Sequence, residues 1–399
     1  MKLTEKEFEK IGNPSCDLTE EDEQLKKDLY EAYMNVNDLL RKYCDLKEED
    51  YPIITSWIVG TYFHEKFESY PYLFLNAMKG SGKTRTLKLI TDLSHEGEIL
   101  IQPTEAVLFR TNSTLGIDEA EGIARKGMEN LRELINGCYK KGSKVKRMKQ
   151  KKTETGTEQV VEEFNIYRPL ALANINGMEN VLGDRCINII LERSDNKRIV
   201  KLAENWKEEE IFKKTKELLE KCRVCSVDVA AELYTEWNNY VTHTYTLYTI
   251  YNNYTNYTNY TKLFKDLNLM DLTGREVELC LPLLFITWII SEKVYKPLHS
   301  ALNGYMGERK KEQFDESMDI MLIDMVSQEL ENIWLTSKDI LNKYLEFTQL
   351  DDKDNELNSL WMGIALKRLN LIKEKKRGSG GMRYILNLKK AQEKIKMFK

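Results

Sequence analysis

The 399-residue chain lacks a long hydrophobic run. Its longest apolar stretch, residues 279–290, is interrupted by Pro282 and Thr287 and is too short to span a bilayer. Residues 1–10 alternate in charge without an apolar stretch, so we expect no signal peptide. These absences predict a cytoplasmic protein with no membrane partner.

Cysteine and histidine are also scarce. The 7 cysteines are an odd number and widely scattered, which is typical of a reducing compartment and excludes a disulfide scaffold. Cys222 and Cys225 form a C-x-x-C pair with no second pair and no nearby histidine, so we expect no zinc site. The 4 histidines are isolated from one another, and no Ser-His-Asp order indicates another hydrolase chemistry.

The net charge of −4 is an average over segregated charge. Residues 1–50 carry 8 basic and 15 acidic side chains, whereas residues 362–399 carry 12 basic and 2 acidic ones. Residues 140–152 hold 8 basic side chains and no acidic one. Because a polyanion docks where the local field is positive, the acidic mean does not exclude nucleic-acid binding.

Five short apolar segments, separated by helical sequence, predict an α/β fold with a mostly parallel sheet. They cover residues 72–75, 99–101, 114–117, 169–173 and 186–191. Composition divides the chain into an N-terminal helical segment, a core, a polar helical region and a C-terminal unit. The expected bounds are 1–50, 51–200, 201–310 and 320–399.

The strongest chemical signal is the sequence A-M-K-G-S-G-K-T at residues 77–84. It matches the phosphate-binding pattern G-x-x-x-x-G-K-[ST], except that Ala77 stands at the first position. The glycines let backbone N–H groups face the β- and γ-phosphates, Lys83 adds a positive charge, and Thr84 is a ligand for Mg²⁺. The predicted ATP contacts are Gly80, Ser81, Gly82, Lys83 and Thr84.

Hydrolysis also needs a carboxylate for Mg²⁺ and a group that activates water. Asp118 and Glu119 end a short strand, so we expect Asp118 to hold the metal and Glu119 to polarise the attacking water. Thr114 and Gly116 weaken that strand, and a surface acidic turn is the alternative. The residues D-E-A-E at 118–121 resemble a motif of one class of helicases. That class needs a second lobe with paired arginines, which the sequence does not offer, so we exclude it.

Three further polar residues follow in the order that a P-loop enzyme requires. Asn174 ends the strand at 169–173 and is expected to touch the γ-phosphate and water, with Asn176 as its rival. Arg185 precedes the next strand and is the candidate arginine finger toward a neighbouring subunit, the alternative being a local salt bridge. Arg275 opens an apolar helix and is a candidate γ-phosphate contact.

With these motifs assembled, the chain resembles AAA+-type P-loop ATPases, in particular the helicase-like replication ATPases of phages, plasmids and other mobile elements. The resemblance covers roughly residues 50–390. It rests on residues 70–73 with 80–84, 117–120, 171–174 and 184–187. It implies an AAA+-like core, a helical lid over residues 201–310, and a homo-oligomeric ring, often a hexamer, with arginine fingers between subunits.

A basic cluster predicts a β-hairpin over residues 144–165, because residues 144–149 alternate and a turn follows at 153–156. In ATPases similar to this chain, a hairpin at this place grips DNA in the ring pore. Its expected DNA contacts are Lys146, Arg147, Lys149, Lys151 and Lys152. The alternative is a solvated loop whose positive charge is balanced by neighbouring glutamates.

The C-terminal unit has the pattern of a winged helix, with a recognition helix over residues 358–369 and two strands around the glycines at 378–381. Its charge favours duplex contact through the wing, and a protein-binding winged helix with a basic tail is the alternative. The expected DNA contacts are Lys375, Lys376, Arg377 and Arg383.

One segment within the expected lid is of low complexity, with tyrosine at every third position from 245 to 260. Base stacking is one interpretation and a tolerated triplet repeat is the other. The function that these features favour is an ATP-dependent helicase or translocase acting on single-stranded or forked DNA. The alternative is an ATP-switched DNA-binding regulator or loading platform without motor activity.

Overall fold

The computed structural model describes most of the chain. The described residues are 20–78, 80–101, 103–111, 113–120, 128–153, 156–174, 180–225, 235–237, 261–270, 272–316, 318–328, 333–348, 358–378 and 381–398. The tyrosine-rich repeat at 245–260 and Asn176 lie outside them. The chain divides into two compact units, residues 1–303 and 304–399, and each is described by itself.

The first unit contains a five-stranded parallel sheet, as the sequence predicts. The strand order is β2-β3-β6-β1-β7. The strands are β1 (Tyr72–Ala77), β2 (Glu98–Ile101), β3 (Leu115–Asp118), β6 (Leu170–Asn174) and β7 (Cys186–Leu191). All strands point the same way, so their carboxyl ends meet at one edge of the sheet, and β6 lies between β1 and β3.

Two helices precede this sheet in the chain, and others lie between and after its strands. The first two are α1 (Glu20–Tyr43) and α2 (Asp50–Gly60), and α3 (Lys83–Leu93) follows β1 directly. The others of this unit are α4 (Glu105–Arg110), α5 (Glu129–Gly137), α6 (Asn180–Gly183), α7 (Lys197–Lys201), α8 (Glu210–Cys225), α9 (Thr261–Leu269) and α10 (Arg275–Ile290). Helix α11 (Glu292–Glu316) runs across the division between the units.

Two of these helices are largely buried. Helix α2 ends at Gly60, and the Thr61 hydroxyl that follows it donates to the Ile58 carbonyl over 2.6 Å. The apolar helix α10 is buried along most of its length. In the part of the chain that the structure describes, no helix has both the length and the apolar character needed to cross a membrane.

A separate two-stranded antiparallel ribbon leaves this unit between β3 and β6. It consists of β4 (Lys144–Thr153) and β5 (Gly156–Asn165), with Lys144 opposite Asn165 and Thr153 opposite Gly156. At its base the Phe164 ring packs against Phe109 of α4, with the ring centroids 4.8 Å apart. This aromatic contact fixes the base of the ribbon to the core.

The second unit combines four helices with a three-stranded antiparallel sheet of order β8-β10-β9. Its elements are α12 (Met318–Gln328), β8 (Leu335–Thr336), α13 (Ser337–Thr348), α14 (Ser359–Arg368), β9 (Ile372–Gly378), β10 (Gly381–Leu386) and α15 (Leu388–Ile395). Thr336 and Asp339 exchange hydrogen bonds at the start of α13, as in a capping box. Leu322, Ile340, Tyr344 and Leu366 lie in its core.

Candidate nucleotide-binding site

The loop between β1 and α3 has the backbone that phosphate binding requires. Gly80 and Gly82 have φ angles of +84° and +81°, in the left-handed region that favours glycine. Among the described residues other than its chain neighbours, no heavy atom lies within 4 Å of a Cβ built on Gly82, so this side of the loop is open to them. Within the same part of the chain, no side chain caps the first turn of α3, which leaves its N–H groups available to an anion.

Asp118 gathers the functional groups beside this loop. The Lys83 ammonium lies 3.0 Å from Asp118 Oδ1, and the Thr84 hydroxyl donates to Asp118 Oδ2 over 2.9 Å. The Glu119 backbone N–H donates to Asp118 Oδ1 over 2.9 Å. Partial burial alone would raise the pKa of Asp118, but the hydrogen bonds from Lys83 and Thr84 outweigh it and hold that pKa below its usual value. The carboxylate is therefore charged at neutral pH.

Glu119 and Asn174 lie at the same edge of the sheet. Glu119 follows β3, is exposed, and has a φ of +56°, a conformation that costs a non-glycine residue about 1 kcal/mol. Asn174 ends β6, is buried, and stands opposite Asn76 of β1 in the sheet register. The structure thus brings Lys83, Thr84, Asp118, Glu119 and Asn174 to one edge.

The two predicted arginines lie elsewhere. Arg185 stands at the start of β7, where its carbonyl accepts from the Tyr72 backbone N–H over 2.9 Å, so the length of β7, about 17 Å, separates it from the P-loop end of the sheet. Arg275 pairs with Glu278. The Tyr139 ring joins the two arginines, whose guanidinium carbons lie 6.0 Å (Arg185) and 5.0 Å (Arg275) from its centroid. Neither arginine is therefore brought to the P-loop of its own chain.

Sequence reasoning missed a different arginine beside the P-loop. Arg193 comes two residues after β7, and its Nε lies 3.6 Å from the position of a Cβ on Gly80. The parallel pairing of β1 with β7 explains the position of Arg193, because Ala77 at the end of β1 pairs with Leu191 at the end of β7. Nothing in the local sequence E-R-S-D signals it.

Gly116 explains why the strand before Asp118 looks weak in sequence. A Cβ at this position would lie 2.4 Å from the Thr91 hydroxyl of α3 and 3.3 Å from Ile99. The absence of a side chain at Gly116 therefore lets Thr91 of α3 pack directly against β3.

The described basic side chains of the ribbon have acidic partners. Lys144 and Lys146 lie 3.2 Å and 3.0 Å from Glu163, and hydrogen bonds from these two lysines hold the pKa of Glu163 below its usual value. Lys149 lies 3.3 Å from Glu162. Arg147 lies 3.0 Å from Glu105 of α4. The side chains of Lys151 and Lys152 lie outside the described residues, although their backbone belongs to β4.

The wing formed by β9 and β10 has a different charge arrangement. Lys375, Lys376 and Arg377 are exposed, and among the described residues none of them, nor Arg383, has a carboxylate within salt-bridge distance. Lys376 stands directly opposite Arg383 in the register, a like-charge pair that repels in the absence of an anion. The Lys376 ammonium lies 4.0 Å from the centroid of the Trp334 ring.

Helix α14, predicted as the recognition helix, presents apolar side chains to solvent. Leu360 is 72% exposed and Ile364 is 55% exposed, one turn apart on the helix. Base edges in the major groove are read mainly by polar side chains. The exposed part of the second unit best suited to phosphate is therefore the wing.

A cluster of His, Cys, Asp and Glu side chains would offer a metal site apart from the P-loop. Within the residues that the structure describes, no three His, Cys, Asp or Glu side chains form a group that would hold a metal ion. Cys222 is buried, and the side chain of Cys225 lies outside the described residues. The pair of Thr84 and Asp118 remains a fitting donor set for Mg²⁺, which takes few protein oxygens when phosphates supply others.

Comparison with known proteins adds little to this geometry. No protein-family model matches the chain, and no curated protein matches it. Among solved structures, the chain is similar to one in the structure of Drosophila ORC bound to DNA, with 11% sequence identity, a TM-score of 0.20, and coverage of 92% of this chain and 91% of that chain. A TM-score this low does not establish a shared fold, so the assignment rests on the chain itself: a parallel α/β core with a P-loop-like turn at its carboxyl edge.

The fit between Gly116 and Thr91 is testable by a paired substitution. Gly116→Ala should lower the free energy of unfolding by about 1–3 kcal/mol, because its Cβ overlaps the Thr91 hydroxyl. Adding Thr91→Ala removes that hydroxyl and should restore most of the loss. Urea unfolding of the wild type, both single variants and the double variant measures this. Equal losses in Gly116→Ala with and without Thr91→Ala would show that the contact does not limit the packing.

Proposed function

We propose that the protein is an AAA+-type P-loop ATPase that works on DNA as a homo-oligomeric ring, as a replicative helicase or translocase of a mobile element. The observation that carries the proposal is the three-way contact of Lys83, Thr84 and Asp118 beside an open glycine turn. A lysine and a hydroxyl that share one carboxylate match the groups that a Mg²⁺–triphosphate complex engages.

ATP and Mg²⁺ suit this donor set. Lys83 would bind the β- and γ-phosphates, and Thr84 and Asp118 would hold the metal, whose charge would offset that of the triphosphate. The uncapped first turn of α3 supplies N–H groups to the phosphates. No bulky side chain blocks that approach at residues 80–82. Gly80 and Gly82 have none, and the Ser81 hydroxyl donates to the Met78 carbonyl over 2.8 Å.

Hydrolysis uses the two polar residues at the neighbouring strand ends. The Glu119 carboxylate accepts a proton as a water oxygen attacks the γ-phosphorus, and the bond from that phosphorus to the β–γ bridging oxygen breaks. ADP and phosphate are the products. Asn174 donates to the γ-phosphate or the water from the strand between β1 and β3.

Arg185 and Arg275 serve a neighbouring subunit in this proposal. Their place on Tyr139, at the edge of the sheet opposite the P-loop, supports a role across an interface rather than within one chain. Burial raises the pKa of Tyr139, so its ring stays a neutral stacking surface. An arginine finger of this kind stabilises charge that develops on the transferring phosphoryl group.

DNA contact is assigned first to the wing and second to the ribbon. The absence of carboxylate partners at Lys375, Lys376 and Arg377, within the described residues, supports phosphate binding there. The ribbon lysines make solvent-exposed ion pairs, which water and salt screen strongly, so DNA phosphates can displace their glutamates. A ribbon gripping single-stranded DNA and a wing on duplex DNA together suit a forked substrate.

The second candidate function is an ATP-switched regulator or loading platform. The apolar face of α14 favours it, because Leu360 and Ile364 suit a protein partner better than a base edge. Strand displacement distinguishes the two functions, since only a motor couples repeated hydrolysis to movement.

The motor proposal predicts that the wild type hydrolyses ATP faster with DNA and displaces a strand from a forked duplex. Glu119→Gln should reduce hydrolysis at least about 100-fold while retaining ATP binding, because only proton acceptance is lost. Lys83→Ala should lose binding as well. Unwinding at the wild-type rate by Glu119→Gln would exclude the motor. ATP binding without any unwinding by the wild type would favour the regulator.

The DNA assignment predicts different salt dependences for matched variants. Changing Lys375, Lys376 and Arg377 to Ala should lower the slope of log affinity against log salt by about 2–3 on duplex DNA. A control with the same charge change, Lys389, Lys390 and Lys396 to Ala, should lower it less. Changing Lys149, Lys151 and Lys152 to Ala should instead reduce the DNA stimulation of hydrolysis. Equal slopes for the wing variant and its control would contradict the wing assignment.

A further inference from the structure

The segment that follows β7 runs beside the P-loop. Because Leu191 pairs with Ala77 in parallel register, residues two or three beyond each strand end stand level with one another. Arg193 fulfils this expectation, with its Nε 3.6 Å and its Nη2 3.8 Å from the position of a Cβ on Gly80. The guanidinium therefore faces the backbone of the loop that would hold phosphate.

The two residues that flank Arg193 in the sequence, Glu192 and Ser194, contact another part of the unit. The Ser194 hydroxyl donates to Asp45 Oδ2 over 2.5 Å, and the Glu192 carboxylate lies 3.8 Å from the Lys47 ammonium. Asp45 and Lys47 belong to the connection between α1 and α2. The connection between α1 and α2 thus contacts the side chains on both sides of Arg193.

The far end of the same segment is anchored by α3. Arg85, the residue after Thr84, donates to the carbonyl oxygens of Ile199 and Leu202 over 2.7 Å and 2.8 Å. The segment is therefore tied to the helix that begins at the P-loop. Contacts at both ends restrict the backbone that carries Arg193 before any ligand arrives, which lowers the entropy cost of binding.

We propose that Arg193 binds the phosphate chain of the nucleoside triphosphate held by the P-loop of its own subunit. This inference rests on the proposed nucleotide-binding function and adds a residue to it. The planar guanidinium presents five donors and suits two phosphate oxygens at once. Arg193 differs in place from Arg185 and Arg275, which stand by Tyr139 away from the P-loop. One subunit thus supplies Lys83 and Arg193 to its own nucleotide, and Arg185 and Arg275 to its neighbour's.

Binding measurements test the contact directly. A fluorescent ATP analogue with Mg²⁺ should bind Arg193→Ala about tenfold more weakly than the wild type, because a charge-assisted hydrogen bond is lost. Arg193→Lys should fall between the two, since lysine keeps the charge but not the fork. Arg198→Ala is the matched control, an exposed arginine on the same segment, and should bind as the wild type does.

Subunit mixing separates action within a subunit from action between subunits. Mixing Lys83→Ala with Arg185→Ala should give more ATP hydrolysis than the sum of the two alone, because an intact P-loop then meets an intact finger. Mixing Lys83→Ala with Arg193→Ala should give only the sum, because each chain lacks a residue that its own site needs. Recovery in the second mixture would overturn the assignment of Arg193 to its own subunit.

Failure of this inference and failure of the proposed function have different signatures. If Lys83→Ala abolishes binding but Arg193→Ala binds the analogue as tightly as the wild type, Arg193 does not contact phosphate and the nucleotide site stands. If the wild type binds no triphosphate, both are wrong. A tenfold loss shared equally by Arg198→Ala would also contradict the inference, because it would indicate a general effect of charge.

Discussion

The contact of Asp118 with Lys83 and Thr84 is the interaction on which the site depends. One carboxylate at the end of β3 accepts from an ammonium and a hydroxyl at the start of α3, and this joins the two elements across the carboxyl edge of the sheet. Gly116 permits the contact by letting α3 lie close to β3. The same three groups are those that a Mg²⁺–triphosphate would engage, so this contact holds them in place for that ligand.

The parallel sheet gives the molecule two chemically different edges. Phosphate-directed groups lie at the carboxyl edge, with Arg193 beside them, and Arg185 lies at the other edge with Arg275 beside the shared Tyr139 ring. The connection between α1 and α2, although distant from the loop in sequence, contacts the segment that carries Arg193 through Asp45 and Lys47.

The sequence was sufficient for the sheet and for the P-loop, because apolar strands and a spaced Gly-Lys-Thr turn are local signals. It also placed Asp118, Glu119 and Asn174 at strand ends, which parallel topology then brings together. Local patterns do not reveal which strand ends face each other, so Arg193 escaped notice and Arg275 was expected at the γ-phosphate. The charge balance of the ribbon required the cross-strand register.

The Mg²⁺ dependence of triphosphate binding by Asp118→Asn tests the central claim most directly. In the wild type, the Asp118 carboxylate holds Lys83 and repels the phosphates until Mg²⁺ arrives, so Mg²⁺ should tighten binding at least about tenfold. In Asp118→Asn, Lys83 is released and the metal ligand is lost, so the affinity without Mg²⁺ should rise and Mg²⁺ should change it little. The same Mg²⁺ dependence in both proteins would contradict the account.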